Sequence, residues 1–581
     1  MKRGSNSERD SVRFAASQQA VRFAWTPLLI GLALLFNSGL GATAAVFYVH
    51  PTLGSDDNSG TSELSPWQTL ERASKAPLRA GDQLLLAAGQ KFNGQLKFDG
   101  LIGEAGSPIV FSAYAAVASE RGSLPVIDAK GFSAGVNIRN SSHVELRNVA
   151  ITGNGGGLAG QMKPEPTAMR CGVLVESDRP GNYAGFVISN VVIRDVFFEN
   201  PGFVRVPEEV RTANGTENYG WGIRFIVHSP QAIMNDVRIT DCEIRNVDHT
   251  GLKLTAPSNG LRNVTVDGIR IANTGGPGVQ MSGVQGGRFS HLDVNSSGST
   301  NDTRNWKRGS GLWTWGSSDV VIEKSRFANA NGPGDSAGVH IDYNCRDVIV
   351  QHNFSANNAG GFCEILGNNY NCAYRYNISV NDGYRIKGRD GAFQEGKTFW
   401  LSGYTGDKNA RQGPFNSYFY NNTIYVGKGI TAKFAITPTA QGVLIANNVF
   451  CIEGQSELVA GDQSRQDLLA SNSIPNVVFQ NNLYLKSENW PAAIPIRDAA
   501  RRMGDPNFPS PGGLKAEDYI PRNVELVRNR GIQIPLIPGD SLGLAGGLQV
   551  KRDILGRRVS DTPSLGAIEP VERGKPQFGF R

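Results

Sequence analysis

The sequence has little charge, few cysteines and no cluster of basic residues. Only 19% of its 581 residues are charged. The six cysteines form neither a CxxC pair nor the spacing of a zinc site, so a zinc-binding or dithiol redox centre is not predicted. No basic run is interleaved with aromatic residues, which argues against binding of nucleic acid. The apolar run Trp25–Phe36 has 12 residues, too few to span a bilayer, for which about 20 are needed.

The first 44 residues have the organisation of an export signal. Basic residues precede the apolar run, and Ala42-Thr43-Ala44 follows it as a small-x-small cleavage site. We therefore expect a secreted or periplasmic protein whose mature chain starts near Ala45 and is not bound to a membrane. An uncleaved anchor over residues 24–47 is the alternative. Five of the 58 basic and two of the 52 acidic residues lie in this segment, so the mature chain, with 53 basic and 50 acidic residues, is nearly neutral.

Glycine, by contrast, is abundant, and its positions repeat. The chain has 70 glycines. Turn-type glycines open short runs in which apolar side chains alternate with charged or polar ones, at intervals of 22 to 33 residues. The glycines of this series are Gly222, Gly251, Gly278, Gly311, Gly338 and Gly360. Alternation predicts strands with one buried face, and the regular interval predicts a solenoid whose coils stack on one another.

A second repeat places an asparagine directly before apolar residues and directly after a residue suited to a bend. It occurs at His352-Asn353, Tyr376-Asn377, Asn421-Asn422, Asn447-Asn448 and Asn481-Asn482. Left-handed backbone geometry suits a tight bend between two strands, and stacked asparagine amides can hydrogen-bond along a solenoid. Asn353 and Asn377 each begin an Asn-x-Ser triplet. Because a stacked, buried asparagine cannot carry a sugar, we expect ladder positions here rather than glycan acceptors.

These two repeats resemble those of right-handed parallel β-helix proteins of the pectate-lyase-like superfamily, from about residue 46 to about residue 485. The resemblance implies an all-β chain, a right-handed parallel β-helix solenoid with an N-terminal helix and strand cap and a C-terminal cap. The implied division is a signal peptide at 1–44, the N-terminal cap and first coils at 45–130, the β-helix at 131–485 and a C-terminal capping region at 486–581. The superfamily contains lyases, glycosidases, epimerases and phage adhesins, so the reaction stays open.

The first coil needs a cover, because the end of a solenoid otherwise exposes its core and its unpaired strand edges. Pro66–Ala73 is predicted to begin a helix at this end. In secreted proteins that resemble this one, a helix covers the first coil, so we expect the same arrangement here.

The outward sides of the central strands carry the candidate catalytic residues. If Gly360 is equivalent to Gly338, one outward column contains Arg224, Lys253, Gln280, Trp313, His340, Phe362 and Arg385, and the next contains Thr255, Ser282, Trp315, Asp342, Glu364 and Lys387. Equivalent positions on neighbouring coils lie about 4.8 Å apart. The pattern therefore predicts two adjacent carboxylates, Asp342 and Glu364. The other candidate catalytic residues are His340, Arg385 and Lys387. A salt-bridged ladder without a catalytic role is the alternative.

Aromatic and basic residues of the same region are candidates for binding substrate. These candidates are Arg224, Lys253, Trp313, Trp315 and Trp400. Trp313 and Trp315 are too large and apolar to face water without a reason, which favours stacking on sugar rings. Trp400 belongs to an expected insertion at 388–416, whose aromatic and basic residues suggest a wall that grips an acidic glycan. A loop folded on its own apolar residues is the alternative.

Two reactions fit this face. In β-elimination, carboxylates bind a cation, often calcium, that neutralises a uronate, and Arg385 or Lys387 removes the adjacent proton. Asp342 and Glu364 are then the candidate calcium ligands. In hydrolysis, the same two residues act as the paired carboxylates of a glycosidase. Because cationic groups accompany the carboxylates, we favour a lyase acting on an acidic polysaccharide, with hydrolysis next. A non-catalytic glycan-binding protein or adhesin is the alternative of another class.

The segment Glu364–Asn369, followed by Arg385 or Lys387, resembles the alginate lyase and chondroitinase B family. In that family a Glu-containing strand binds calcium, and a nearby Lys and Arg act on the substrate. The sequence departs from the pattern, since Phe362 stands where the first Glu is expected and an asparagine stands near the expected Lys. The motifs of polygalacturonases and of mannuronan epimerases are absent. Adhesins of this fold usually form trimers, whereas we expect a monomer.

Two cysteines could meet in one turn region. Cys345 and Cys372 lie 27 residues apart, about one coil. An oxidising compartment would allow a disulfide bridge between them. Buried free thiols within the stack are the alternative.

Overall fold

The computed structural model describes residues 43–158, 169–204, 220–298, 302–304, 307–406, 408–459, 461, 476–490 and 498–570. Within these residues, parallel strands stack around one long hydrophobic core. The expected export signal at 1–44 lies outside them except for its last two positions. Among the described residues, no helix has the length and apolar character needed to cross a membrane.

The strands form three faces of a solenoid. The first face consists of β1 Val46–Val49, β2 Gln83–Ala87, β5 Ile109–Tyr114, β8 Val144–Asn154, β10 Gly181–Phe197, β12 Ala232–Thr240, β15 Leu261–Asp267, β18 Val284–Ser290, β21 Ser318–Glu323, β24 Arg346–Gln351, β27 Ala373–Arg375, β30 Phe415–Tyr420, β33 Gln441–Ala446 and β36 Val477–Gln480. The second face consists of β3 Lys91–Asn93, β6 Val126–Asp128, β13 Glu243–Val247, β16 Arg270–Thr274, β19 Asp293–Ser297, β22 Arg326–Ala328, β25 Phe354–Ala356, β28 Ile378–Val380, β31 Thr423–Val426, β34 Val449–Ile452, β37 Leu483–Tyr484 and β38 Arg502–Met503.

The third face consists of β4 Leu96–Asp99, β7 Ala134–Arg139, β9 Arg170–Ser177, β11 Gly220–Val227, β14 Leu252–Thr255, β17 Val279–Ser282, β20 Leu312–Trp315, β23 Val339–Ile341, β26 Gly361–Ile365, β29 Lys397–Leu401, β32 Ala432–Ile436 and β35 Ser456–Leu458. The long strands β8 and β10 belong to both the first and the second face and join them into one sheet. The helices are short: α1 Leu70–Ala73, α2 Val524–Val527 and 3₁₀ turns at Ala118–Glu120, Ser487–Asn489 and Ala516–Tyr519. The predicted parallel β-helix is confirmed.

The glycine series forms a ladder at the corner where each coil enters the third face. A Cβ atom on Gly222 would lie 2.3 Å from the carbonyl oxygen of Gly251, and one on Gly251 would lie 2.7 Å from that of Gly278. In the same way, a Cβ atom on Gly278 would lie 2.7 Å from the carbonyl oxygen of Gly311, and one on Gly311 would lie 2.5 Å from that of Gly338. Any side chain here would push neighbouring coils apart, which is why glycine marks the repeat.

The ladder ends at Gly338, and the predicted equivalence of Gly338 and Gly360 is wrong. The observed pairings on this coil are Ala337 with Gly361 and Ile341 with Ile365. The backbone N–H of Gly338 accordingly donates to the carbonyl of Gly361, at 2.8 Å. Phe362 therefore occupies the position equivalent to Gly338, two residues beyond the predicted match.

The asparagine ladder is confirmed. The residues directly before the asparagines have φ between 53° and 56°, at His352, Tyr376, Asn421, Asn447 and Asn481. The Nδ2 groups donate along the solenoid from Asn353 to Asn377 at 3.1 Å, Asn377 to Asn422 at 3.0 Å, Asn422 to Asn448 at 2.9 Å and Asn448 to Asn482 at 3.0 Å. Asn482 donates in turn to Asp498, at 3.0 Å. Asn353 and Asn377 are fully buried and cannot be glycan acceptors.

Other chain segments cover parts of the solenoid. Helix α1 begins after Thr69, whose side chain accepts a hydrogen bond from the Arg72 backbone, and it buries Leu70 and Ala73 against the core as predicted. Residues 498–570 run back along the outer sides of the first and second faces. Tyr519, Val527 and Leu565 pack on the second face, and Ile537 and Leu544 pack on the first. Neither cluster contains a residue of the third face.

All six cysteines are buried, and no disulfide joins Cys345 to Cys372. Cys345 and Cys372 lie in the core, where their thiols approach the carbonyl oxygens of Tyr343 and Tyr370. Burial raises the pKa of the Cys345 thiol to about 12. Of the two possibilities that the sequence left open for Cys345 and Cys372, buried free thiols are therefore confirmed and the bridge is not formed.

Candidate active site

One column of outward side chains on the third face contains most of the candidate residues. In register order it contains Arg224, Lys253, Gln280, Trp313, His340, Glu364 and Trp400. The first five members are those of the predicted column. Beyond His340 the structure differs, because Glu364 takes the place predicted for Phe362, and Trp400 takes the place predicted for Arg385.

His340 is the centre of a buried acid cluster. Its Nδ1 lies 2.8 Å from Glu364 Oε2, and its Nε2 lies 3.9 Å from Asp342 Oδ2. The two ring nitrogens point in different directions, so the imidazole lies between the carboxylates. The side chains of His340, Asp342 and Glu364 are 5%, 9% and 4% exposed. Asp342 and Glu364 are therefore close as predicted, but a third side chain separates them.

The cluster holds a proton on His340. Burial alone would lower the pKa of this imidazole, but the charge and hydrogen bond of Glu364, with the charges of Asp342 and Asp335, outweigh burial and raise the pKa to about 9. His340 is therefore an imidazolium at neutral pH, and its positive charge offsets the buried carboxylates.

Asp342 is held in place by two donors. The indole Nε1 of Trp313 donates to its Oδ2 at 2.8 Å, and the backbone N–H of Tyr343 donates to its Oδ1 at 2.8 Å. Burial raises the pKa of Asp342 to about 6, even though His340 and the two donors favour the charged form. Asp342 can therefore hold or release a proton near neutral pH, as a general acid requires.

Asp335 is the residue of this cluster that sequence analysis missed. It lies in the loop between β22 and β23, and Nε and Nη2 of Arg308 contact its Oδ2 at 2.9 and 2.7 Å. Its side chain is 22% exposed, more than those of Asp342 and Glu364. Burial alone would raise the pKa of Asp335, but the charges of Arg308, His340 and Arg385 hold it below its usual value. Asp335 therefore stays ionised.

The carboxylate of Asp335 is bound to Arg308 through only one of its two oxygens. Both contacts of Arg308 use Oδ2, and no side chain or backbone group of the described chain hydrogen-bonds to Oδ1. The only sequence signal for Asp335 is its place after Gly332-Pro333-Gly334 in a turn that borders the face, where binding residues commonly lie.

Arg385 and Lys387 are not on the third face, so their predicted position was wrong. The strand after β26 is β29, and both residues lie in the loop that precedes it. Arg385 is buried, and its guanidinium donates to the carbonyl oxygens of Gly332 and Asp335, at 3.1 and 2.9 Å. Arg385 thus braces the loop that carries Asp335, while Lys387 is exposed to solvent.

The tryptophans have different exposures. Trp400 lies in β29 rather than in a loop, which corrects the predicted wall at 388–416; its ring is 6.0 Å from that of His340. Trp313 and Trp400 are 6% and 4% exposed, so neither offers an open surface for sugar. Trp315 is partly exposed and lies beside Tyr343, with ring centroids 5.3 Å apart. Trp315 and Tyr343 therefore form the aromatic surface next to Asp342.

Arg224 and Lys253 form a separate cationic cluster on the same face. Their charged groups lie over the ring of Trp221, at 4.3 and 4.4 Å from its centroid. Both side chains are nearly buried. Lys253 is three strands from His340 along the column, about 14 Å at the usual spacing of strands. The structure does not bring these two residues into the acid cluster.

The donor set around His340 does not fit calcium. The space between Asp342 and Glu364 is taken by the His340 ring, whose positive charge would repel a cation. The described part of the chain contains no group of three or more His, Cys, Asp or Glu residues that could hold a metal ion.

Comparison with known proteins supports this fold. The family described as "Right handed beta helix region" matches residues 226–424. The lacto-N-biosidase of Bifidobacterium longum subsp. longum is 23% identical over 626 residues, covering 91% of this chain and 36% of that protein. The chain thus spans about a third of the length of this relative. Two structures of the GH136 lacto-N-biosidase of Eubacterium ramulus match 71% of this chain and 68% of theirs, at 18% identity and TM-scores of 0.51 and 0.50.

These matches confirm the right-handed parallel β-helix and relate the chain to carbohydrate-active proteins. The relatives carry the name of a glycosidase, whereas sequence analysis favoured a lyase.

Proposed function

We propose that the protein is a glycoside hydrolase that cleaves a glycan on its third face, with Asp342 as the general acid and Asp335 as the partner carboxylate. The observation that carries the proposal is the different surroundings of two carboxyl groups near His340: Asp342 is 9% exposed and accepts from the Trp313 indole, whereas Asp335 is more exposed and is paired with the Arg308 guanidinium. Burial raises the pKa of Asp342 to about 6. Burial would also raise the pKa of Asp335, but the charge of Arg308 holds it below its usual value. Glycosidases need one carboxyl group that is protonated and one that is ionised.

The reaction uses these two states directly. Protonated Asp342 donates its proton to the glycosidic oxygen as the bond between that oxygen and the anomeric carbon breaks. Ionised Asp335 either attacks the anomeric carbon or accepts a proton from the water that attacks. In both routes water supplies the new hydroxyl group. After direct attack, water displaces Asp335 from the anomeric carbon and gives its other proton to Asp342. After attack by water, that proton is on Asp335, and exchange with solvent returns Asp335 to its ionised form and Asp342 to its protonated form.

Glu364 has a positioning role in this scheme. At 4% exposed it is more enclosed than Asp335, and its Oε2 is engaged by His340. It keeps His340 protonated, and the imidazolium in turn favours the ionised form of Asp342, so that the pKa of Asp342 stays near 6 despite burial. The catalytic pair predicted from sequence, Asp342 with Glu364, is thereby replaced by Asp342 with Asp335.

Hydrolysis fits better than the β-elimination that the sequence favoured. Elimination requires a base near the uronate and a cation that neutralises it. Arg385 and Lys387, which were predicted to act in this reaction, lie in another loop, and Arg385 is engaged by backbone carbonyls. The similarity to lacto-N-biosidases supports the same choice.

The setting of the enzyme belongs to the same proposal. The export signal predicted at 1–44 would place the enzyme outside the cytoplasm. The glycan would stack on Trp315 and Tyr343 beside the acid. We propose a monomer, because one chain carries all members of the acid cluster.

The test is a screen of neutral and acidic oligosaccharides that follows two signals, new reducing ends and absorbance near 235 nm from an unsaturated uronate. Hydrolysis predicts reducing ends without absorbance, and their loss in Asp342→Asn and in Asp335→Asn. Proton NMR of the first product then separates retention from inversion. A rise near 235 nm would overturn the proposal in favour of a lyase, and neither signal on the panel would favour a binding protein.

A further inference from the structure

A groove lies next to the loop that contacts the backbone of Asp335. It is a cavity of about 790 Å³ that is open to solvent. Its floor is formed by turn residues that follow second-face strands, including Asn329 and Asn357. One wall is the loop before β29, with Tyr384 and Ile386. The volume is within the range of small-ligand sites, about 300–1,000 Å³.

The loop before β29 has two functional sides. One side supports Asp335, whose backbone N–H donates to the side-chain oxygen of Gln394 at 2.5 Å and whose carbonyl accepts from Arg385 at 2.9 Å. The other side presents Tyr384, Ile386 and Glu395 to the groove. A single loop therefore separates the groove from the acid cluster.

The groove is built on a fixed ion pair. Lys433 is 3% exposed, and its Nζ lies 2.8 Å from Glu395 Oε1 and donates to the carbonyl of Arg385 at 2.7 Å. Both partners of Lys433 belong to the loop before β29, so the lysine ties this loop to β32. The wall of the groove is thus preorganised, and a ligand need not order it.

Several polar groups in the groove have spare hydrogen-bonding capacity. The side chains of Asn357, Thr431 and Glu457 line it and make no hydrogen bond to any other part of the described chain. Together they offer an amide, a hydroxyl and a carboxylate, which can donate to and accept from sugar hydroxyl groups. Convergent polar groups without internal partners are what a polar ligand site requires.

The groove also has an apolar surface. Tyr384 and Ile386 alternate along the loop and are 39% and 41% exposed. Large apolar side chains held in a groove rimmed by polar groups mark a binding surface, and a tyrosine ring stacks on the C–H face of a sugar. Since Lys433 is neutralised by Glu395, the additional carboxylate of Glu457 gives the groove a negative balance that disfavours anionic sugars.

We propose that this groove is a second carbohydrate-binding site, which holds a segment of a neutral oligosaccharide while another part of the glycan is at the acid cluster or free. The site does not depend on the roles assigned to Asp335 and Asp342, because binding there requires no cleavage.

The test is calorimetric titration of the full chain carrying Asp342→Asn with cellohexaose, xylohexaose and lacto-N-tetraose, and with hexagalacturonate as the anionic probe. We expect at least one neutral probe to bind and hexagalacturonate to bind more weakly. Tyr384→Ala should weaken this binding by about tenfold, the usual effect of losing one aromatic stacking contact, whereas Tyr384→Phe should keep it.

Two controls make the result decisive. Ile102→Ala removes an exposed isoleucine outside the groove and should not change binding, whereas Ile386→Ala should weaken it. Thermal unfolding of each variant excludes loss of the fold. No binding of any neutral probe, stronger binding of hexagalacturonate, or equal binding by Tyr384→Ala would each overturn the proposal. Binding that depends on Tyr384 in a protein that hydrolyses nothing would uphold the groove and reject the hydrolase.

Discussion

The imidazole Nδ1 of His340 lies 2.8 Å from the carboxylate of Glu364, on the next coil of the third face. This contact joins two residues that sequence analysis placed in different columns. It explains how three carboxylates can share one buried cluster, since the imidazolium at its centre offsets part of their charge. Through His340, the charge of Glu364 also influences the pKa of Asp342, although no contact between Glu364 and Asp342 is needed.

The first prediction concerns Glu364→Gln. The variant removes the charge of Glu364, the largest of the influences that raise the pKa of His340 to about 9, so burial should lower this pKa. A neutral His340 no longer favours the ionised form of Asp342, so the pKa of Asp342 should rise above about 6. The alkaline limb of kcat/KM should therefore move to higher pH, and NMR of the His340 ring should show its lowered pKa.

The matched control for this prediction is Glu323→Gln, since Glu323 is also buried and ion-paired but lies on the first face. It should leave both the pH profile and the His340 signal unchanged. An unshifted alkaline limb in Glu364→Gln, with a protein that unfolds normally, would contradict the positioning role.

The second prediction separates the acid from its partner. Asp342→Asn removes the proton donor and should lower kcat/KM by about 10²–10⁴ on substrates with a sugar leaving group. A dinitrophenyl glycoside needs little protonation of its leaving group, so most of its hydrolysis should survive in this variant. Asp335→Asn should lose activity on both substrates. Equal losses on both substrates in the two variants would contradict the assigned roles.

The fold could be predicted from the sequence alone because the residues that indicate it make the same contact in every coil. Each ladder glycine meets the next glycine's carbonyl, and each ladder asparagine meets the next asparagine, so one local requirement recurs at every coil. The register beyond Gly338 could not be predicted in the same way. Phe362 replaces the ladder glycine there, and the adjacent Gly360 and Gly361 offered a false match.

The candidate site was predictable only where it lies on strands. Asp342, Glu364 and His340 were found because alternation places them outward. Asp335 lies in a loop without periodicity, and its ionised state depends on Arg308, which is distant in sequence. Arg385 was misplaced because nothing in the sequence shows that the chain leaves the stack before β29.

The third prediction tests the glycine ladder. In Gly251→Ala the new methyl group would lie 2.7 Å from the carbonyl oxygen of Gly278 and 2.6 Å from the Ile271 side chain. We expect destabilisation by about 1–3 kcal/mol, as for overpacked cores. Gly106→Ala is the matched control, since its Cβ would meet nothing within 4 Å. Denaturant unfolding followed by circular dichroism measures both, and equal midpoints would refute the ladder.

The fourth prediction concerns Asp382, a buried acid that follows strand β28. Its oxygens accept from Asn358 and Ser379, but burial raises its pKa to about 7. Because the native state keeps this proton up to about pH 7 and the unfolded state loses it near 3.8, the unfolding free energy should fall between these pH values, by at most about 1.4 kcal/mol per unit. Asp382→Asn keeps an acceptor for Asn358 and should remove this slope.

The contrast for Asp382 is Asp267. Hydrogen bonds from Ser290 and His291 lower its pKa, so its contribution has the opposite sign and is lost as the pH falls. Asp267→Asn should therefore lower the free energy of unfolding at neutral pH. Asp382→Asn should instead raise the free energy of unfolding above pH 7. Urea unfolding from pH 4 to pH 8 measures both variants. The same pH slope in Asp382→Asn as in the unaltered protein would contradict the assignment.

The fifth prediction links the groove to the acid cluster through Lys433. Its ammonium group holds Glu395 and the carbonyl of Arg385, and Arg385 in turn holds the carbonyl of Asp335. Lys433→Met leaves a carboxylate unpaired and should loosen the loop, so both oligosaccharide binding and kcat should decrease. Glu457 lines the groove but takes no part in these contacts, so Glu457→Gln should change oligosaccharide binding without changing kcat. The double variant Lys433→Met with Glu395→Met removes the unpaired charge, so stability should recover while kcat stays low. Unchanged kcat in Lys433→Met would show that the two sides of the loop are independent.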